Sequence, residues 1–284
     1  MKRIKLALIP YSVYALIFIV APILLILLYS FQDGSGAFTW DNYARFFDFS
    51  DPVYLKVLWR SIKLAVISTV ICLILGYPMA YILSKLPSRI RGTVSFLFVL
   101  PMWMNFLLRT YSWMSLLERT GLINSLIGWL NGFLPAAMQV PSLDIMYTQW
   151  AVVLGNVYNF LPFMILPIYT VLIKIDQNLI EAAQDLGASR GRVFRKVIFP
   201  LSLSGVVSGI SMTFMPAVTT FVISRLLGGG QNALIGDLIE NQFKVVNDWG
   251  FGSAMSVILM VLILLTMGVI RRYGDENAGR SVPL

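Results

Sequence analysis

The chain has 284 residues, of which 57% are hydrophobic and only 13% are charged. Soluble domains are about 45–50% apolar and about 25% charged, so this composition excludes an ordinary soluble fold and predicts an integral membrane protein. The chain has no histidine and one cysteine, Cys72, which excludes His-dependent catalysis and cysteine metal clusters. We therefore predict neither catalytic residues nor a metal site.

Six apolar stretches are long enough to cross a bilayer as helices, which takes roughly 17–25 residues. They are, approximately, Leu6–Phe31, Ile62–Leu83, Val94–Leu117, Thr148–Ile173, Leu203–Leu226 and Gly252–Ile270. The first follows three basic residues, but its apolar core is longer than that of a cleavable signal peptide, so we predict an uncleaved helix. The sequence thus predicts an all-α membrane protein with six transmembrane helices.

Two features predict departures from straight helices. Prolines lie inside several spans and should kink them; they are Pro22, Pro78, Pro101, Pro162, Pro167 and Pro216. The segment 227–251 is polar and rich in glycine, and it is too long for a simple turn. We expect it to form a re-entrant or interfacial element on the outer side of the membrane.

The charges predict the orientation of the chain. Fourteen of the 22 Lys and Arg residues, but only five of the 14 Asp and Glu residues, lie in segments 1–5, 84–93, 174–202 and 271–284. The positive-inside rule places these segments, and with them both termini, in the cytoplasm. The net charge of +8 is explained by this orientation, so no nucleic-acid partner is predicted.

The cytoplasmic loop 174–202 contains a charged stretch, EAAQDLGASRGRVFRKVIFP, that begins at Glu181. Asn178 and Glu181 fit a capping box, Gly187 suits a C-terminal cap, and a second helix can begin at Ser189 and lead to Pro200. Helical spacing groups Leu179, Ile180, Ala183 and Leu186 on one apolar face and places Glu181 and Asp185 on the opposite side. This pattern favours a surface helix that docks on another protein, with an amphipathic helix in the lipid headgroups as the alternative.

The spacing EAA-x3-G, followed by apolar residues and a proline, resembles the cytoplasmic signature of ABC importer permeases. Here the apolar positions are Val197 and Phe199, in place of the Ile and Leu of that signature. The resemblance implies a type I ABC importer permease fold and coupling to an ATPase through Glu181, Ala182, Ala183, Asp185 and Gly187. The chain has no G-x-x-x-x-G-K-[ST] loop, so it is not itself the ATPase, and ATP and Mg²⁺ would be bound by a partner rather than as cofactors of this chain.

The resemblance also implies an organisation along the chain. Residues 1–61 would form the first transmembrane helix and an outer loop, and residues 62–270 the permease core with the coupling loop 174–202. Residues 271–284 would form a cytoplasmic tail. Such a protein would be a multi-pass protein of the bacterial cytoplasmic membrane, which is the cell inner membrane where a second membrane exists.

Other stretches resemble the permease subunits of spermidine/putrescine importers in particular. They are LGYPMAYILSKLP, LPMWMNFLLRTYSW, NFLPFMILPIYTVL and a GG…LIG…I…QF…W-x-FG pattern from Gly229 to Gly252. This resemblance implies a polyamine substrate and three kinds of partner. They are a second homologous permease subunit, a dimer of ATP-binding cassette ATPases and an extracytoplasmic polyamine-binding protein.

Polar and aromatic residues inside two spans are candidates for the substrate pathway, because aromatic faces bind ammonium groups through cation–π contacts. They are Trp103, Asn105, Tyr111 and Trp113 in the third span and Asn156, Tyr158 and Asn159 in the fourth. Helix packing and an aromatic belt at the membrane surface explain the same residues equally well.

Arg109 and Arg225 are candidate intramembrane charges, whereas no span contains Asp or Glu. Three explanations are open: these arginines hold helices together, contact an acidic binding protein, or bind an anion. A permease for another solute, such as an anion, ferric iron or thiamine, is therefore the alternative function. The outer acids Glu118, Asp144, Asp237 and Glu240 are expected on a solvated face. An ion-driven secondary transporter is less favoured, because internal repeats and buried acids are missing from the sequence.

Overall fold

The computed structural model describes residues 10–135 and 138–280. The basic residues Lys2, Arg3 and Lys5, the start of the first predicted span and residues 281–284 lie outside the described residues. Within these ranges the chain is helical, and the only β-type pairing is an isolated bridge between Gln32 and Phe38. The all-α fold class predicted from the sequence is confirmed.

We number the helices of the described ranges α1 to α12 in chain order. The first six are α1 (Pro10–Ser30), α2 (Asp41–Phe46), α3 (Val53–Lys85), α4 (Ser88–Val99), α5 (Phe106–Leu117) and α6 (Leu122–Asn131). The others are α7 (Gln149–Leu172), α8 (Gln177–Asp185), α9 (Arg190–Thr219), α10 (Val222–Leu227), α11 (Ile235–Asn241) and α12 (Trp249–Arg280). Five of them, α1, α3, α7, α9 and α12, are each long and apolar enough to cross a membrane.

The third predicted span is broken, so the prediction of one helix over Val94–Leu117 is wrong. Helix α4 continues into a 3-10 turn at Leu100–Trp103, and the chain then bends by 89° into α5 and α6. Pro101 has no backbone N–H to continue the helix, and the Asn105 side chain accepts a hydrogen bond from Leu107 N at 2.8 Å. Asn105 therefore caps a new helix at the bend.

The fifth predicted span differs at both ends. No separate helix ends at Pro200; instead α9 runs without a break from Arg190 to Thr219, through a π-helical turn at Phe194–Ile198. Three residues after Pro216 the helix ends, and Thr220 is extended, so Leu203–Leu226 is not one helix. Helix α3 begins at Val53, nine positions before the predicted start at Ile62.

Helix α7 lies at the centre of the bundle, packed against both α3 and α9. Glycines allow its close contact with α9: a Cβ on Gly205 would lie 2.9 Å from Pro167 O, and a Cβ on Gly209 would lie 2.8 Å from Met164 Sδ. Small residues at such crossings let helix backbones approach one another in a membrane. Helix α12 contacts α1 and α9 and completes the bundle.

The polar segment predicted on the outer side folds back onto the bundle. It forms α11 and a π-helical turn at Gln242–Val246, and it contacts α3, α9, α10 and α12. Leu234 and Ile235 at its start are fully buried. The segment therefore packs on the bundle through the start of α11, whereas residues 244–247 near its end are exposed.

Candidate functional site

The surface helix predicted on the cytoplasmic side is α8, and it begins two residues earlier than the capping-box pattern predicts. Its N-cap is Asp176, whose carboxylate accepts a hydrogen bond from Asn178 N at 3.0 Å. Asn178 is thus the second residue of the helix, and the prediction that it caps the helix is wrong. Asp176 caps the helix because it directly precedes the first helical residue and because its carboxylate is a stronger hydrogen-bond acceptor than the amide of Asn178.

Gly187 ends α8 as the sequence predicts. Its φ of +80° is a left-handed conformation that favours glycine. The N–H of Gly187 donates to Gln184 O at 2.8 Å, and the N–H of Ala188 donates to Ala183 O at 3.0 Å. These two bonds form a Schellman motif, which stops the helix and turns the chain towards α9.

Only part of the predicted apolar face of α8 is covered. Ile180 is buried and Ala183 is half-buried against the core formed by α3, α7 and α9. Leu179 is 51% exposed and Leu186 is 89% exposed, so two of the four apolar residues face outward. The predicted coupling residues Glu181, Ala182, Asp185 and Gly187 are exposed as well. The helix therefore presents a mixed apolar and acidic surface.

Aromatic rings connect the loop after α8 to the membrane helices. The Phe194 ring, in the π-helical turn of α9, lies 5.9 Å from the Tyr77 ring and 5.4 Å from the Tyr81 ring on α3. The Tyr77 hydroxyl is 2.8 Å from Ser202 Oγ of α9. These contacts join the start of α9, which follows α8 in the chain, to α3.

The seven predicted pathway residues do not form a single site in the structure. The Trp113 and Tyr158 rings meet with centroids 5.2 Å apart, which joins α5 to α7. Asn156 and Asn159 are buried inside the chain, and the Oδ1 atom of each has no hydrogen-bond partner. The remaining three, Trp103, Asn105 and Tyr111, are exposed on or before α5.

The two predicted intramembrane arginines have different surroundings. Arg225 lies on α10, beyond the end of α9, and pairs with Glu240 of α11 at 2.7 Å. Glu240 also pairs with Lys244 at 2.9 Å. Arg109 is 92% buried, its Nε has no partner, and no carboxylate of the described residues lies within ion-pair distance. For Arg225, the pairing supports the explanation that it holds helices together.

Asp237 is a buried residue that the sequence interpretation missed. Its carboxylate accepts hydrogen bonds from Ser224 Oγ at 2.5 Å and from Leu234 N at 2.7 Å. Burial raises the pKa of Asp237, and these two hydrogen bonds oppose that rise. The expectation of a solvated face is wrong for Asp237 and for Glu240, whose side chain is only 12% exposed. An acid three residues after the N-cap Leu234 was the available signal.

Residues 72–275 match the family described as binding-protein-dependent transport system inner membrane component. The chain belongs to this family. The spermidine/putrescine transport system permease protein PotB of Salmonella typhimurium is 40% identical over 260 residues, which cover 89% of this chain and 88% of that protein. PotB of Escherichia coli is 39% identical over 265 residues, which cover 91% and 93%. These findings confirm the predicted family and a multi-pass location in a bacterial inner membrane.

Two solved structures share the fold. A bacterial ABC transporter involved in the import of the acidic polysaccharide alginate superimposes with a TM-score of 0.78 at 15% identity, over 96% of this chain and 95% of the matched chain. The alginate transporter in complex with an alginate pentasaccharide-bound periplasmic protein gives 0.80 at 14% identity, over 97% and 94%. At such low identity the likeness shows the fold alone, which is that of an ABC importer permease.

Proposed function

We propose that the chain is the permease subunit of an ATP-driven importer of polyamines, of the spermidine/putrescine class. The observation that carries this proposal is 38–40% identity to PotB permeases from three genera, over about nine-tenths of each chain. Arg225 forms an ion pair with Glu240, so only one of the two arginines still favours an anionic solute. Importers of other solutes and ion-driven transporters are therefore less favoured.

The proposal includes three kinds of partner and an orientation. A second permease subunit completes the pathway, an ATPase dimer in the cytoplasm binds ATP and Mg²⁺, and a binding protein delivers the polyamine from outside. Both termini and α8 then lie in the cytoplasm, in agreement with the positive-inside rule. ATP binding moves the ATPase subunits, and the cavity between the permeases switches between two states of access.

Within this scheme α8 is the coupling helix. Its exposed surface combines Leu179 and Leu186 with Glu181 and Asp185, which suits a protein groove better than lipid headgroups, where basic residues prevail. Phe194 lies near the start of α9, shortly after α8, and its ring contacts two rings of α3. A movement of α8 would therefore act on both α3 and α9.

For the substrate pathway we propose the Trp113–Tyr158 pair. Two aromatic rings in edge-to-face contact at 5.2 Å offer a face to an ammonium group. Trp113→Ala should raise the KM for spermidine, whereas Trp113→Phe should keep most of the affinity. The exposed Trp59 on α3 provides a control, and Trp59→Ala should leave the KM unchanged. Equal KM values for Trp113→Ala and wild type would exclude this pair from the pathway.

The experiment that tests the function is uptake of labelled spermidine. Cells without their own polyamine importers would express this chain with its genomic neighbours. We expect saturable, ATP-dependent uptake. If the complex assembles and hydrolyses ATP but spermidine does not enter, the polyamine assignment fails, although the ABC permease assignment remains. Uptake that continues after ATP depletion and stops with an ionophore would overturn both.

The coupling role is tested by reversing one charge on each side of the membrane. Glu181→Lys should abolish uptake and release the ATPase from the purified permease. Asp51→Lys makes the same change at an exposed position before α3, on the opposite side in the proposed orientation, and it should keep the ATPase bound. Retention of the ATPase and of uptake in Glu181→Lys would contradict the coupling role.

A further inference from the structure

Helix α6 has two different faces. On one face, two asparagines bind the segment that returns towards α7: Asn124 exchanges hydrogen bonds with Leu143 at 2.6 and 3.0 Å, and Asn131 does the same with Val140 at 2.7 and 2.8 Å. The other face carries Leu122, Leu126 and Trp129, and Phe133 follows two residues after the helix ends; these four side chains are between 57% and 73% exposed. The two asparagine side chains are thus hydrogen-bonded within the chain, and a row of large apolar side chains remains uncovered.

The chemistry of this apolar face suits lipid. All 24 residues from 120 to 143 are uncharged. The nearest charged residues on either side, Arg119 and Asp144, are exposed and pair with each other at 2.6 Å. The Trp129 and Phe133 rings are in contact, with centroids 4.9 Å apart. Aromatic residues beside leucines on one face are typical of helices that lie at a membrane–water interface.

The geometry places α6 at that interface. The 16 residues of Ser88–Trp103 rise roughly 24 Å, which is most of a hydrocarbon core about 30 Å thick. The chain then bends by 89°, so a segment that crosses the bilayer as far as Trp103 would continue from Phe106 to Asn131 along the membrane surface.

We propose that α6 is an interfacial anchor, with Leu122, Leu126, Trp129 and Phe133 inserted among the acyl chains of the outer leaflet. The anchor holds the bend between α4 and α5 at a constant depth. It thereby supports Trp113, which lies on α5 between the bend and α6. The proposal does not depend on which solute is carried; only the side of the membrane rests on the proposed orientation.

Spin labels on single cysteines test the anchor in the assembled complex in lipid nanodiscs. Cys72 is the only native cysteine and is buried, so Cys72→Ala provides the background. Labels at Leu126→Cys and Phe133→Cys probe the apolar face. The control is Gly128→Cys, because Gly128 is exposed, lies on a different side of the helix and has no atom within 4 Å of an added Cβ.

We expect labels at 126 and 133 to collide more often with lipid-soluble oxygen than with a water-soluble nickel chelate, and the label at 128 to show the reverse order. Preferential access of nickel at 126 and 133 would overturn the proposal. Protection from both reagents would also overturn the proposal, because another protein would then cover this face. Protection in the complex alone would indicate the second permease, and protection only after the binding protein is added would indicate the binding protein.

A second measurement needs no label. Brominated lipids quench tryptophan fluorescence only at short range, so the quenched part of the emission should fall when Trp129→Phe is introduced. Trp249→Phe changes another exposed tryptophan, at the start of α12, and provides a comparison. An unchanged quenched part in Trp129→Phe would contradict insertion of this residue, and spermidine uptake by the same variants reports separately on the proposed function.

Discussion

The hydroxyl of Ser224 donates a hydrogen bond of 2.5 Å to the buried carboxylate of Asp237, which also accepts the N–H of Leu234 at 2.7 Å. One acidic side chain thus joins α10 to the start of α11. Since α10 follows the break after α9, this contact joins α10 to α11 just beyond the end of α9. The relationship leads to the first prediction.

Asp237→Ala should lower the free energy of unfolding by about 1–3 kcal/mol, because it leaves the buried N–H of Leu234 without its acceptor and leaves the Ser224 hydroxyl only the Phe221 carbonyl oxygen, at 3.0 Å. Asp237→Asn keeps one acceptor oxygen and should cost less. Thermal unfolding of the purified complex would distinguish them. If alanine and asparagine variants were equally stable, the hydrogen bonds would not contribute as described.

The same residue predicts a pH dependence. The pKa of Asp237 is raised in the folded protein, chiefly by burial, so the folded state binds this proton more tightly than the unfolded chain does. The resulting contribution to stability is present at low pH and is lost as the pH rises through the raised pKa. As the pH rises through the raised pKa of Asp237, the free energy of unfolding of the wild type should therefore fall relative to that of Asp237→Asn. Parallel pH profiles for the two proteins would contradict the assignment.

The Arg225–Glu240 pair should contribute about 0.5–1 kcal/mol, because Arg225 is half exposed and solvent weakens the attraction. A double-mutant cycle with Arg225→Met and Glu240→Gln measures this coupling. The KM for spermidine should stay unchanged in Arg225→Met, because the arginine holds α10 against α11 and does not bind substrate. A large change in KM without loss of stability would assign Arg225 to the substrate pathway instead.

Gly205→Ala should destabilise the bundle by about 1–3 kcal/mol, because its Cβ would press on the backbone oxygen of Pro167, which has little freedom to move. Gly268→Ala is the matched control, since no atom lies within 4 Å of its Cβ and alanine favours helix by about 1 kcal/mol. The melting temperatures of the two variants should move in opposite directions. Similar shifts would mean that α7 and α9 are not as close as described.

Gly187→Ala should weaken the end of α8 by about 1–2 kcal/mol through its left-handed backbone, since no neighbouring atom opposes the new methyl group. Gly187→Asn should be milder, because asparagine tolerates this conformation better. Uptake and ATP hydrolysis would be measured together, with coupling expected to fall more in the alanine variant. The opposite order would exclude backbone strain as the cause.

Local sequence patterns were sufficient for much of this protein. Hydropathy over windows of about 20 residues predicts membrane helices because a span must be apolar along its whole length. The EAA-x3-G spacing predicts the helix α8 and its end, because Gly187 must adopt a conformation that few other residues accept. These features depend only on residues close together in the chain, so they can be read without a structure.

Only the tertiary structure decided how sharply a span that contains proline breaks and which polar residues are buried. The apolar run through Asn105 reads as one span, but a cap at that residue and the missing N–H of Pro101 produce a bend of 89°. The sequence predicts that Asp237 and Glu240 are solvated acids, but in the folded chain α10 and the bundle cover them. Burial is set by residues far away in the sequence. Therefore only the folded chain shows which charges form ion pairs and which, like Arg109, have no carboxylate of the described residues within ion-pair distance.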